Sequence, residues 1–170
     1  MRRKVREKQV ETDQDGSKRD EAEEGTNTHA VLWTRRPVCG PRTDVIDRLS
    51  ALRSAGELAG FDVETCPEEV AVSGQTRHSR VVEAYEQFRA WALEAGVSVS
   101  PPFDQRTVTS LVGRTEEVLT VPVMCLAVYD DDLCGVYPCS DGDRTWTVTD
   151  YLDAYEAAES PPTLAELRDS

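Results

Sequence analysis

The chain has 170 residues, a formal net charge of −13 and a sequence pI of about 4.6. This length is typical of one domain with its own hydrophobic core and is too short for two full-sized domains. The longest apolar run, residues 121–128, is far shorter than the ~18 apolar residues of a membrane span. We therefore expect a cytoplasmic protein without membrane contact.

Charge is distributed unevenly along the chain. Residues 29–170 contain 12 arginines, 24 acidic residues and no lysine, although lysine is among the commonest residues of average proteins. Repulsion between the surface carboxylates destabilises a compact domain at low ionic strength. Molar salt shortens the Debye length to roughly 3 Å and screens this repulsion. We interpret the composition as halophilic adaptation, with an ordinary solubilising surface as the alternative.

Residues 1–28 contain almost no large apolar side chains and join a basic patch, Arg2 to Lys8, to an acidic stretch. Such a segment cannot offset the entropy lost on ordering, so we predict a disordered charged tail. Binding of the basic patch to nucleic acid or a membrane surface is the alternative. Arg2-Arg3 is not followed by the apolar segment of an export signal.

After this tail, strands alternate with helices. β-prone residues at 30–34 predict a strand that ends in a turn containing glycine and proline. Apolar residues at helical spacing then predict a helix over 42–55. Thr43 or Asp44 would cap its start, and Gly56 would end it.

Residues 61–65 alternate apolar and acidic side chains, which predicts a second strand that Val70 and Val72 extend past Pro67. The clearest helix is predicted over 77–95, directly before a glycine. An apolar and aromatic stripe on this helix is typical of a core-facing side. It consists of Val81, Tyr85, Phe88, Trp91 and Ala92.

The last part of the chain predicts a hairpin and a helix. A short strand over 105–112 precedes an apolar run over 118–128, which we interpret as a central strand buried on both faces. Acidic turn residues at 130–132 connect it to a partner strand over 133–138.

Two Thr-x-x-acid pairs indicate helix starts. Thr147 and Asp150 predict a helix over about 148–158. Thr163 and Glu166 predict a frayed terminal turn.

This order predicts an α/β fold in which a mixed sheet lies between helices, a thioredoxin-like three-layer arrangement with the order β-α-β-α-β-β-α. We assign a disordered tail to residues 1–28, a single α/β domain to 29–159 and a short frayed tail to 160–170.

The segment Cys39-Gly40-Pro41-Arg42 follows the first strand and opens the first helix. The helix dipole and a guanidinium both stabilise a thiolate at such a position, as in redox-active thiols. The tetrad resembles the Cys-Gly-Pro-Cys motif of thioredoxins, and Pro122 resembles the cis-proline that faces that motif. Since Arg42 replaces the second cysteine, dithiol exchange is excluded for this motif. Cys39, with Arg42 and Pro122, is the candidate site of a monothiol chemistry, and a structural cysteine in a turn is the favoured alternative.

The sequence predicts neither a metal site nor a cofactor. Five cysteines are an odd number for a disulfide framework, and an intracellular chain keeps thiols free. Cys125, Cys134 and Cys139 lack a paired C-x-x-C spacing, and no histidine is close enough in sequence to complete a tetrahedral set. We interpret these three as core cysteines.

Five stretches carry a resemblance to a known family: Val82 to Ala92, Gly96 to Val99, Val121 to Ala127, Val136 to Asp143 and Thr147 to Leu152. In these stretches the chain resembles a haloarchaeal family of small uncharacterised proteins grouped under the description helix-turn-helix domain. The resemblance covers roughly residues 29–159 and implies no catalytic residues.

A DNA-reading helix pair needs a turn of about 3–4 residues and a basic second helix. The two strongest predicted helices are instead separated by a strand, and the helix over 77–95 is balanced in charge. DNA is therefore a less favoured partner. The leading hypothesis is a non-enzymatic cytoplasmic binding or regulatory module. The sequence does not identify its partner and leaves a protein partner open. A monothiol redox or thiol-sensing protein and a helix-turn-helix transcriptional regulator are the alternatives.

Overall fold

The computed structural model of the protein describes residues 26–73 and 79–170. The predicted tail therefore lies almost wholly outside the described residues, as does the first turn of the helix predicted over 77–95. Thr28 belongs to the folded part, since it is buried and its carbonyl accepts a hydrogen bond from the Ala59 amide at 2.9 Å.

Four helices and nine strands are formed by the described residues. The strands are β1 (His29–Arg35), β2 (Gly60–Cys66), β3 (Glu69–Ala71), β4 (Asp104–Thr109), β5 (Thr115–Thr120), β6 (Met124–Asp130), β7 (Asp132–Tyr137), β8 (Cys139–Ser140) and β9 (Thr145–Trp146). The helices are α1 (Pro41–Ser54), α2 (Ser79–Ala95), α3 (Val148–Ala158) and α4 (Leu164–Asp169). None of the described helices is both long and apolar enough to cross a membrane.

A four-stranded mixed sheet forms the centre of the fold, with the strand order β2-β1-β6-β7. β1 runs parallel to β2 and antiparallel to β6, and β6 runs antiparallel to β7. β6 contributes four consecutive buried residues, which is typical of a central strand covered on both faces. The acidic turn after β6 is formed as predicted, with Asp131 at φ 62°.

Helices cover both faces of this sheet. Tyr137 of β7 stacks on Tyr151 of α3 with ring centroids 4.6 Å apart. α1 lies beside α3 and is joined to it by Arg48, which donates to Asp153 at 2.7 Å and to Glu156 at 2.7 Å. α2 packs on the opposite face, and its predicted stripe is buried except for Trp91, which is half-buried. The mixed α/β class is therefore confirmed.

A second, three-stranded sheet has the order β3-β5-β4, and it corrects two predictions. The segment with Val70 does not extend the second strand, because β3 pairs with β5 instead. The run over 118–128 is not one strand, since it changes sheet at residues 121–123 between β5 and β6. Pro122 lacks the amide hydrogen that a central ladder needs, so the break falls at this residue. The predicted element order contains a single sheet and does not account for the sheet β3-β5-β4. The thioredoxin-like topology therefore stays a prediction.

Both capping boxes are confirmed. The Thr147 hydroxyl accepts a hydrogen bond from the Asp150 amide at 3.1 Å, and the Asp150 carboxylate accepts one from the Thr147 amide at 2.7 Å. α4 begins in the same way at Thr163 and Glu166. Leu167 of α4 is buried, so this last turn packs on the domain.

Candidate functional site

The candidate site lies where the parallel strands β1 and β2 end together. Arg35 and Cys66 are the paired last residues of these strands. From Arg35 the chain turns through residues 36–40 into α1. In α/β proteins, ligands bind at the carboxyl ends of parallel strands, where such turns leave side chains and helix N-termini exposed. We refer to this region, Arg35 to Arg42 with Thr65 to Glu68, as the β1–β2 edge.

α1 starts at this edge without a side-chain cap. Its N-cap residue is Gly40, with φ 59°, and Pro41 is the first helical residue. The predicted cap at Thr43 or Asp44 is therefore wrong: both residues lie inside the helix, and their amides donate to the Gly40 carbonyl at 2.9 and 3.3 Å. The positive end of the α1 dipole stays open at this point.

Arg35 holds the edge together. Its Nε atom donates to the Val121 carbonyl at 2.6 Å, and its Nη1 atom lies 3.2 Å from Glu68. The Arg35 amide also donates to the Val123 carbonyl at 3.0 Å. This arginine therefore ties the end of β1 to the segment between β5 and β6 and has little freedom to bind anything else.

Two further arginines, Arg36 and Arg42, lie beside it. Arg36 Nε donates to the Thr65 hydroxyl at 3.0 Å, and Arg42 Nη1 donates to the Arg35 carbonyl at 2.8 Å. Within residues 26–73 and 79–170, neither makes an ion pair with a carboxylate. No carboxylate of the described residues therefore compensates the charge of these two guanidinium groups.

A cavity of about 340 Å³ opens at the ends of the two strands. Arg35, Arg36, Thr65, Cys66, Pro67 and Glu68 line it. Burial raises the pKa of the Cys66 thiol, although the charge of Arg35 acts in the opposite direction. The cavity therefore offers guanidinium groups, a hydroxyl and a protonated thiol.

The structure brings Cys39 and Arg42 together, as predicted. Cys39 is exposed, and Arg42 Nη2 lies 3.7 Å from its Sγ atom. Pro122 is buried in the segment that Arg35 binds, so it lies at the same end of the sheet without a hydrogen-bonded link to Cys39. The Val121–Pro122 bond is not among the cis bonds of the described residues, which corrects the expected likeness to a cis-proline at this position.

The remaining cysteines divide into two classes. Cys125 and Cys139 are buried, as predicted, and burial raises the pKa of Cys139 to about 12. Cys134 is exposed, so its assignment to the core is wrong. It lies in the β6–β7 hairpin, where an irregular register lets its Sγ atom donate to the Val128 carbonyl at 3.3 Å. In the part of the chain that is described, no cluster of three or more His, Cys, Asp or Glu residues could hold a metal ion.

Sequence reasoning missed Arg36, Thr65, Cys66 and Glu68. One signal was present: Arg35-Arg36 is an arginine pair directly after a predicted strand, in a domain with twice as many acidic residues as arginines. Thr65 and Glu68 carry no such signal, because their role depends on the pairing of β1 with β2.

A family model described as "Helix-turn-helix domain" matches residues 22–160. The chain belongs to this helix-turn-helix domain family. It matches no curated protein and no solved structure.

A helix-turn-helix pair requires two helices joined by a short turn. Inside the matched range, α1, α2 and α3 are each followed or preceded by strands, so the described residues of that range contain no two helices joined by a short turn. α3 and α4 are joined by residues 159–163, but α4 lies beyond the match. Arg168, the basic residue of α4, is exposed, and its guanidinium lies over the Trp146 ring at 5.8 Å.

Proposed function

We propose that this protein is a non-enzymatic cytoplasmic regulatory module, and that it acts by binding an anionic group at the β1–β2 edge. One observation carries the proposal: Arg36 lies in the turn after β1 and Arg42 in the first turn of α1, and neither has a carboxylate partner among the described residues.

The chemistry of these groups selects the ligand class. Guanidinium groups bind carboxylate and phosphate oxygens through paired, charge-assisted hydrogen bonds. The α1 N-terminus adds a positive partial charge and the Arg42 amide hydrogen, since Pro41 has none and the Thr43 and Asp44 amides donate to the Gly40 carbonyl. The adjoining cavity of about 340 Å³ lies at the lower end of the range for small-molecule sites. A small phosphate- or carboxylate-bearing group fits all three features.

Binding is favoured over catalysis because the described residues of the β1–β2 edge do not form a complete set of catalytic groups. Among the described residues, no histidine lines its cavity, and the carboxylate that does, Glu68, is already paired with Arg35. The Cys66 thiol, whose pKa is raised by burial, is a poor nucleophile at neutral pH.

The test is a titration of the full chain with pyrophosphate, followed by the NMR shifts of the Arg36 Nε–H group and the Arg42 backbone amide. We expect saturable shifts at both positions. In the double variant Arg36→Gln/Arg42→Gln, affinity should fall at least about tenfold, since each charge-assisted hydrogen bond contributes ~1.5–3 kcal/mol.

The matched control is Arg53→Gln, because Arg53 is exposed in the last turn of the same helix. This variant should bind pyrophosphate as the wild type does. Equal weakening in both variants would reduce the effect to net charge and remove the proposal of a site.

A DNA-binding regulator is the second candidate, and family membership supports it. Its discriminating measurement is fluorescence anisotropy of labelled duplexes over a range of KCl concentrations. A sequence-selective complex that persists at high salt favours it, whereas binding that disappears steeply with salt reflects phosphate contacts alone.

A monothiol role for Cys39 is the third candidate, supported by the contact with Arg42.

A further inference from the structure

The β4–β5 hairpin forms an arm that stands clear of the domain. All six residues of β4 are exposed. At the hairpin tip, Leu111 and Val112 have relative exposures of 108% and 83%. A single exposed apolar residue is ordinary, but two adjacent ones at the end of an arm indicate a surface that another molecule covers.

β4 is also an edge strand, because the order of its sheet is β3-β5-β4. Soluble proteins commonly block such edges with proline, lysine or a covering loop. The β4 sequence, Asp-Gln-Arg-Thr-Val-Thr, contains no proline or lysine; its two charged residues, Asp104 and Arg106, lie in its first half, and it ends in β-prone threonine and valine. Among the described residues no strand pairs with the outer edge of β4, so its backbone groups can pair with another strand.

A groove of about 970 Å³ runs along β4 and separates it from α2. Leu93 of α2 lies in the groove and is 84% exposed. Val97 and Ser100, which lie between α2 and β4 in the chain, line the same groove. The molecule thus carries an exposed apolar tip and, at the base of the same arm, a groove with an exposed apolar side chain.

We propose that a second copy of this chain occupies the groove, through antiparallel pairing of the two β4 edges. A two-fold axis between Arg106 and Thr107 places residue 104 of one copy opposite residue 109 of the other. The same register places Leu111 and Val112 of each copy opposite Pro102 and Pro101 of its partner, next in sequence to Ser100, which lines the groove together with Leu93. One operation therefore buries both apolar tips, as a closed two-fold interface requires.

Charges agree with this arrangement. In the proposed register, Asp104 faces Thr109 and Arg106 faces Thr107, so no like charges oppose each other. Within the groove, Arg106 is paired with Glu69 and Arg89 lies over the Tyr85 ring at 5.7 Å. Glu86 and Asp104 stay available for Arg114, the cation at the tip of the second copy's arm.

Sedimentation velocity of the full chain in molar KCl tests the proposal. We expect a dimer that dissociates on dilution, and at least a tenfold higher dissociation constant for Leu111→Asp/Val112→Asp. Val38→Asp is the matched control, since Val38 is an exposed valine outside the arm and should leave the dimer unchanged. A wild type that stays monomeric at high concentration, or a dimer that survives the tip substitutions, would overturn the proposal.

A second variant separates assembly from folding. Leu93→Asp changes only the groove side, and we expect it to weaken the dimer as the tip variant does. Mixing the two variants should restore part of the dimer, because one tip–groove contact of the mixed pair is intact. Loss of assembly without this complementation would mean that the substitutions act on folding instead, and the proposed interface would be wrong.

Discussion

The starts of α1 and α3 contain similar residues but differ in the burial of the thiol and in the capping of the helix. Cys39 precedes α1 and Arg42 lies in its first turn, and the segment that leads into α3 likewise contains a cysteine and an arginine, Cys139 and Arg144. At α1 the thiol is exposed and the helix has a glycine cap. Before α3 the thiol is buried, and the helix is capped by its own residues.

The start of α3 satisfies its polar groups internally. Thr147 and Asp150 cap the helix, and the buried Trp146 donates from Nε1 to the Leu167 carbonyl at 3.2 Å. Arg144 lies over the Trp146 ring at 5.5 Å and donates to the Ser170 carbonyl at 3.0 Å. These donors bond to acceptors within the chain, so we interpret this region as part of the structural framework.

The start of α1 leaves its groups open. Arg42 is held by a single carbonyl of the chain, and Arg36 by a single hydroxyl. Residue type alone therefore does not mark a site in this protein. At α1 the two guanidinium groups have no carboxylate partner among the described residues, and this is what distinguishes it from the start of α3.

The largest effect expected from this comparison is on thiol reactivity. Burial raises the pKa of Cys139 to about 12. At pH 8 the thiolate fraction of Cys139 is therefore roughly 10³-fold smaller than that of an unburied model thiol with a pKa of ~8.5. We expect iodoacetamide to label Cys39 first and Cys139 slower than a model thiol by about that factor. Mass spectrometry of peptides from the folded protein measures both rates.

The same measurement tests the monothiol alternative for Cys39. If Arg42 stabilises a thiolate, Arg42→Gln should slow the labelling of Cys39 several-fold, with Arg53→Gln as the unaffected control. A Cys39 that reacts no faster than the model thiol, and equally in both variants, would exclude a redox role.

A smaller effect is expected on stability. Thr147→Ala removes a formed N-cap, so the free energy of unfolding should fall by about 1 kcal/mol. Thr43→Ala is the matched control: Thr43 makes no cap, and alanine is the better helix former, so its effect should stay within about 0.5 kcal/mol. Chemical denaturation in molar KCl compares the two. Equal losses would contradict the assignment of Gly40 as the α1 cap.

The smallest expected effect is a pH dependence at α4. Hydrogen bonds from Thr163 hold the pKa of Glu166 below its usual range. The stabilisation is therefore present above the pKa of an unfolded glutamate and is lost as pH falls through the lower folded value. The NMR shift of the Thr163 amide should follow this titration in acid. Glu166→Gln should abolish that response, and Glu94→Gln on α2 should leave it unchanged.

Much of the fold could be predicted because its signals are local. The capping boxes join residues three apart, and the stripe of α2 recurs every three or four residues. The break at Pro122 was missed because an apolar run hides a change of sheet, which depends on β1 and β3 as partners. The exposure of Cys134 was missed because one irregularity in the β6–β7 register moves a side chain to the other face.

The mixed α/β class, the helix starts at Thr147 and Thr163 and the contact of Cys39 with Arg42 could be predicted, since each depends on residues close in the chain. The partners of the arginines at the β1–β2 edge depend on the tertiary structure instead. Arg35 reaches Val121 across 86 residues, and Arg36 reaches Thr65 across 29. Such partners are set by strand pairing, and pairing is a property of the whole sheet.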